Sequence, residues 1–140
     1  MVQIKGEVFI TVDEYDAQGF GQKGKMSGYF SHLGKLNETK STWENMSHDF
    51  SQYPPLITII QDVVFCAANG DLVYATYTGH TDVTTSKVNG SAILEGGTGR
   101  FENASGQVTV NGYAEYDETG RVVGMHLTGE GEISSIVSSR

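Results

Sequence analysis

His32 follows Met26, Gly28 and Phe30 at alternate positions, so a strand running through all four points the imidazole inward near one end of a sheet. There a neutral ring can orient a ligand or move a proton; equally, it can bond a backbone carbonyl and simply cap the core. Gln61 and Asp62 are the polar intrusions in an otherwise apolar run, one in each strand phase. Whichever of the two points inward needs a partner, which makes it a candidate site residue, and Asp62 is carried forward in that role. Tyr29, Tyr74, Tyr77 and Tyr113, with Phe30 and Phe65, have the composition of an aromatic pocket with a few hydroxyl handles. They are also ordinary strand formers. Tyr77 stands out among them because Val73 and Ala75 share its face. The expected ligand-binding set is therefore Phe30, His32, Asp62, Tyr77 and Met125.

Other reactive groups read more plainly. Cys66 lies in a run that is apolar in both phases, where a thiol acts as a small hydrophobe and lacks the neighbouring base that a nucleophile requires. His48, His80 and His126 fall in polar company and read as solvated. No pair of histidines has the spacing that joins a carboxylate around a metal, so no metal is expected, and no cofactor is implied. The Gly-Gly-Thr-Gly segment from Gly96 to Gly99 suggests an anion cradle. It leads into a strand instead of a helix and lacks a Gly-Lys-Ser/Thr ending, which excludes a phosphate loop.

The elements that must position these groups are strands. At 140 residues the chain makes one domain, 1–140, with enough core to need no staples. Eighteen glycines, two prolines and few runs of strong helix formers favour short strands joined by tight turns. The net charge of −8, from nine basic and 17 acidic side chains, comes without a Lys/Arg cluster and excludes nucleic acid as a partner. The single cysteine permits no internal disulfide. The start of the chain has no signal-like apolar core and no run reaches membrane-spanning length, so the expected location is cytoplasmic, with no membrane partner.

Taken in order, Val2 to Val12 alternates cleanly, and a second strand runs from Met26 through His32. A weaker strand is expected around Lys40 to Ser47, with Trp43 as its anchor. Pro54-Pro55 forces a loop. The run Ile57 to Ala68 is apolar in both phases, the pattern of a strand covered on both faces. Asn69-Gly70 signals a hairpin into Leu72–Thr78, followed by a polar loop from Thr81 to Lys87 and a strand from Val88 to Leu94. Gly106, Val108, Val110, Gly112, Ala114 and Tyr116 share one phase, and so do Val123, Met125, Leu127, Gly129, Gly131 and Ile133. Small residues suit the inside of a narrow barrel, and the glycines at 112, 129 and 131 are expected to leave room for a ligand. The fold class is all-β, an antiparallel up-and-down β-barrel of about eight strands.

Between the sixth and seventh of these strands lies the densest glycine cluster: Gly96, Gly97, Gly99, then Phe101, then Gly106. It reads as a barrel corner plugged from below by Phe101. This segment, GGTGRFENASGQV, resembles the GG-[S/T]-G-x-F-x-x-A-x-G segment of allene oxide cyclases and dirigent proteins. Gly28–Gly34 and Ala68–Asp71 look similar to small bacterial barrel proteins that share the corner. The resemblance implies a calycin-like, allene oxide cyclase-like barrel and dimers or trimers. No catalytic or binding residue of those families falls on a definite position here.

Three functions fit these residues. The leading one is a barrel whose cavity takes a small hydrophobic molecule. The second, implied by the resemblance, is a cyclase or isomerase that holds a reactive substrate in one conformation. The third is a non-catalytic scaffold with a filled barrel. Under each, the outward face of Ile57–Ala68 needs cover, which predicts a homo-oligomer.

Overall fold

The computed structural model describes residues 1–134, so the tail of the expected 1–140 domain, residues 135–140, lies outside the described part. Its strands are β1 (Val2–Tyr15), β2 (Gly21–Phe30), β3 (Gly34–Lys35), β4 (Thr42–Asp49), β5 (Leu56–Cys66), β6 (Leu72–Asp82), β7 (Lys87–Gly97), β8 (Ser105–Tyr116) and β9 (Val122–Ser134). From β4 onward each strand pairs antiparallel with the next, and β1 pairs with both β9 and β2. That double pairing closes an eight-stranded barrel, with β3 as a two-residue addition to β2. The all-β, sequential antiparallel barrel expected from alternation is the architecture observed.

Alternation builds the inner wall. Along β6, Val73, Ala75, Tyr77 and Thr81 are buried while Tyr74 and Thr78 are exposed. The same two-residue period buries Val88, Ala92 and Leu94 on β7 and Val108, Val110 and Ala114 on β8. On β5 the inward phase is Ile57, Ile59, Gln61, Val63 and Phe65, with Ile60 on the outside.

One seam is weak. β2 and β4 share only the pairs Lys23–Glu44, Gly24–Trp43 and Lys25–Thr42. Trp43 bridges the gap: its indole N–H donates to the Thr11 carbonyl at 3.0 Å, across the position where Gly24 has no side chain.

Alternate loops define two unlike ends. Residues 16–20, 50–55, 83–86 and 117–121 gather at one end; residues 31–41, 67–71 and 98–104 gather at the other. The second end is closed. Leu33, Leu36, Ala67, Phe101, Ala104 and Ile133 are all buried there, Phe101 and Ile133 completely. The segment 31–41 folds under the barrel and is tied to the β5–β6 hairpin by Asn37 N–H to the Cys66 carbonyl and Ala68 N–H to the Leu33 carbonyl. Cys66 is fully buried, and its N–H donates to the Ser41 hydroxyl at 2.9 Å.

The glycine corner is part of this closure. A short 3₁₀ turn, Gly99–Phe101, delivers the Phe101 ring into the core. Gly96, Gly99 and Gly106 hold φ of 92°, 55° and 141°, a region that side chains rarely tolerate. Gly97 lies so close to the Leu72 carbonyl that a Cβ would collide with it.

Two sequence expectations fail for local reasons. The second strand ends at Phe30 and does not run on to His32, which adopts φ 67° in a turn. The alternation stops there, so His32 is exposed and Leu33 takes the buried position. On β9 the pairing steps from Gly124 to Val122; the skipped Val123 is 41% exposed, and Val122 faces inward in its place. Elsewhere two strands are longer than expected, β1 reaching Tyr15 and β6 reaching Asp82, and the weak strand is displaced by two residues to Thr42–Asp49.

Candidate ligand-binding site

The open end leads into a cavity of about 930 Å³, near the upper limit of sizes common for small-molecule sites. Its walls are mostly aliphatic: Val8, Ile10, Val12, Ile57, Ile59, Val63, Ala92, Val108, Val110 and Leu127. Phe30 and Phe65 make the floor, meeting edge to face with ring centroids 5.7 Å apart. Beneath them, Leu33, Val73, Leu94 and Ile133 leave a void of only about 10 Å³. The cavity is therefore a blind pit, not a channel.

Three side chains break the apolar wall side by side. Asn45 stands opposite Gln61 in the β4–β5 register, and Gln61 opposite Tyr77 in the β5–β6 register. All three line the cavity. Side chains paired in this way lie within reach of one another. The Tyr77 ring fits because two glycines make room for it: Gly79 on its own strand and Gly90, paired with Gly79 on β7. A Cβ at either position would run into the Tyr77 hydroxyl. That hydroxyl is buried and has no hydrogen-bond partner, as is also true of Asn45 Oδ1 and of the Tyr116 hydroxyl nearer the mouth. Burial alone pushes the Tyr77 phenol up to about 12, so it stays neutral and can donate.

The mouth has two different sides. On one, Phe20, His48, Phe50 and Tyr53 form an aromatic lip, with His48 nearly parallel to Phe50 at 5.9 Å and Phe20 tilted against both. Burial holds His48 below its ordinary value of 6.5, against the opposing pull of Asp16. Its Nδ1 accepts from the Asn45 amide at 3.2 Å, which fits a neutral ring. On the other side, Arg121 lies 4.2 Å over the Tyr15 ring and pairs with Asp117. The Tyr15 hydroxyl donates to the Val122 carbonyl at 2.8 Å. Asp117 accepts from Thr119 and from the Arg121 N–H, and these bonds, that of the Thr119 hydroxyl foremost, hold its carboxyl below the ordinary value.

Among the expected site residues, Phe30, Tyr77 and Met125 line the cavity. His32 and Asp62 do not. His32 sits outside at the closed end, where its carbonyl accepts from Arg100 at 3.3 Å. Asp62 is the outward member of its pair and Gln61 the inward one, because Gln61 shares its phase with Ile59 and Val63. Tyr29, Tyr74 and Tyr113 are exposed, so Phe30, Phe65 and Tyr77 are what remain inside from the expected aromatic lining.

The glycines at 112, 129 and 131 also act differently from expectation. At Gly112 and Gly131 a neighbouring strand's carbonyl occupies the place of a side chain, and at Gly129 the Phe30 and Val108 side chains do. They let strands coil tightly; the room for a ligand comes from the small and medium side chains Ala92, Val108 and Val110 beside them.

Trp43, expected only as a strand anchor, His48, expected to be solvated, and Asn45, which the sequence did not single out, all line the cavity. The alternation of Trp43 with Asn45 was a usable signal, but an irregular step between Asn45 and Ser47 shifts the phase and brings His48 inward.

Among the described residues, no three His, Cys, Asp or Glu side chains come close enough to hold a metal. The fold and site together define an open-mouthed antiparallel β-barrel with a blind, largely apolar cavity. No protein-family model matches the chain, and no curated protein matches it. Among solved structures it is similar to a pterocarpan synthase dirigent protein, at 13% identity and a TM-score of 0.49, over 99% of this chain and 87% of that one. At that identity and overlap the likeness carries no inference about activity.

Proposed function

We propose that the protein binds a small, predominantly apolar molecule inside its barrel, entering past the aromatic lip. The observation that carries this reading is the blind cavity of about 930 Å³ with aliphatic walls and an aromatic floor. Filling such a space with apolar atoms removes their surface from water at about 25 cal/mol per Å². A scaffold with no binding role has no use for so large a void, since empty volume in a core costs stability.

The reading is tested by fluorescence titration of the full chain with pyrene, alongside Ala92→Phe, which puts a ring into the cavity. Saturable binding by the native protein and a loss of about tenfold or more in the variant are expected. Equal binding by both would overturn it.

A second reading adds catalysis by confinement. The resemblance of the Gly96–Gly106 corner to allene oxide cyclases and dirigent proteins favours it, as does a pit deep enough to exclude water from a bound substrate. A reactive substrate cyclised faster and with one stereochemistry in the presence of protein would support it; a racemic product at the uncatalysed rate would remove it. Self-association through the outward face of β5, where Ile60 is 39% exposed, belongs to either reading. Sedimentation velocity tests it, and a monomer at high protein concentration would exclude it.

A further inference from the structure

Three neutral polar side chains, Asn45, Gln61 and Tyr77, stand on neighbouring strands of the cavity wall, and the fold treats them unequally. Two are sealed into it. The Tyr77 hydroxyl packs on Gly79 and Gly90, and Asn45 turns its amide nitrogen to His48 at 3.2 Å while its Oδ1 is buried. Gln61 shares the inward phase of Ile59 and Val63, yet it is partly exposed, and neither end of its amide is buried or bonded to a described residue. Since β4 and β6 pair with the two edges of β5, the open space that this amide meets is the pit.

Its position is deep. Along β5, Ile57 and Ile59 face inward on the mouth side of Gln61, and Val63 and Phe65 face inward on the floor side. Four residues in either direction amount to roughly 13 Å of strand. Other polar groups of the lining lie nearer the mouth: Thr81 pairs with Ile57 and His48 with Ile59, and Arg121, the one permanent charge among the described lining residues, stands beside the last mouth turn. Gln61 therefore presents an uncharged N–H donor and a carbonyl acceptor, side by side, midway down a largely aliphatic wall.

A molecule that fills the pit displaces water from that amide. With only apolar atoms at this level it strands a donor and an acceptor together, and each then bears its desolvation penalty. A lone carbonyl satisfies the donor and leaves the acceptor stranded. A primary carboxamide or a lactam carries the same two groups side by side in the opposite sense and satisfies both.

We infer that the ligand is an uncharged, mostly apolar molecule bearing a carboxamide or lactam, which pairs with the Gln61 amide midway down the pit. The inference rests on the binding reading above and names the chemical class that the site selects.

The test titrates three fluorescent probes of one ring system, pyrene, 1-acetylpyrene and 1-pyrenecarboxamide, into the native chain and into Gln61→Met, which keeps a side chain of similar length without donor or acceptor. The readout is each probe's affinity relative to pyrene, so a general loosening of the cavity cancels. From the native chain to the variant, the carboxamide-to-pyrene ratio is expected to fall about tenfold or more, the scale of two net hydrogen bonds, and the acetyl-to-pyrene ratio about threefold. Gln61→Ala supplies the same comparison if Gln61→Met does not fold.

An unchanged carboxamide-to-pyrene ratio would overturn the assignment to Gln61 and leave the cavity reading standing. Equal falls for the carboxamide and the acetyl probe would overturn the two-point pairing, because a carbonyl alone would then suffice. Absence of saturable binding by all three probes to the native chain would instead sink the cavity reading itself, and this inference with it.

Discussion

The two ends of this barrel are made by the same kind of chain, strands joined by short turns, yet they spend their large side chains in opposite ways. At the closed end, Phe101, Leu36 and Ile133 are buried to 1% exposure or less, and hydrogen bonds from Asn37 and Ala68 lash the 31–41 segment beneath the floor. At the mouth, Phe50 and Tyr53 remain 44% and 54% exposed and touch chiefly one another and Phe20 and His48. The difference is one of loop design. The closed-end corner uses glycines at positive φ to turn Phe101 inward, whereas the mouth turns are held by aspartates, Asp16 and Asp117, that bond their own backbone and leave the space above the strands empty. Stability is concentrated at one end and access at the other.

The sharpest way to break this contrast is to truncate an aromatic at each end. Phe101→Ala should cost about 3–5 kcal/mol of unfolding free energy, the range for a fully buried ring. Phe50→Ala should stay within about 0.5 kcal/mol, as surface changes do. Chemical denaturation measures both, and similar losses at the two ends would show that the mouth is no less a part of the core.

A smaller effect of opposite sign is expected midway between them. Tyr77→Phe deletes a buried hydroxyl with no partner, so the ligand-free variant should be more stable than the native chain by about 1 kcal/mol, lifting Tm by about 3–5 °C. A fall in Tm would mean that the hydroxyl has a partner in solution.

The smallest effect concerns pH at the lip. His48 is held below 6.5, chiefly by burial, so the folded state resists a proton that the unfolded chain accepts. Between 6.5 and the depressed folded value the unfolded state therefore binds more protons, and stability falls with falling pH across that window, levelling off below it. His48→Gln should flatten this part of the Tm–pH profile relative to the native chain. Identical slopes would remove His48 as the cause. Truncating Phe20 should act the same way in weaker form, by giving the imidazole back some of its water.

How far all this was legible depended on where alternation persisted. β6, β7 and β8 keep a two-residue period over most of their length, so their inward faces, Tyr77 and Val108 included, could be read directly. Alternation failed where one residue interrupts it. The left-handed turn at His32 turned an expected cavity ligand into an exposed residue at the closed end. The skipped residue Val123 reversed the sides of Val122 and Val123, and the irregular step after Asn45 hid the aromatic lip. In Gln61 and Asp62 both phases were apolar enough that composition could not choose between them.

The sequence by itself determined the all-β class, the sequential antiparallel order and the burial of Phe101, because these follow from a local period and from glycines whose backbone needs are local too. Only the tertiary structure decided which member of a pair such as Gln61 and Asp62 faces inward, which glycines make room for Tyr77, and that Asn45, Gln61 and Tyr77 stand in one row. Each of these depends on strand register and barrel closure, which are fixed by contacts between residues far apart in the chain.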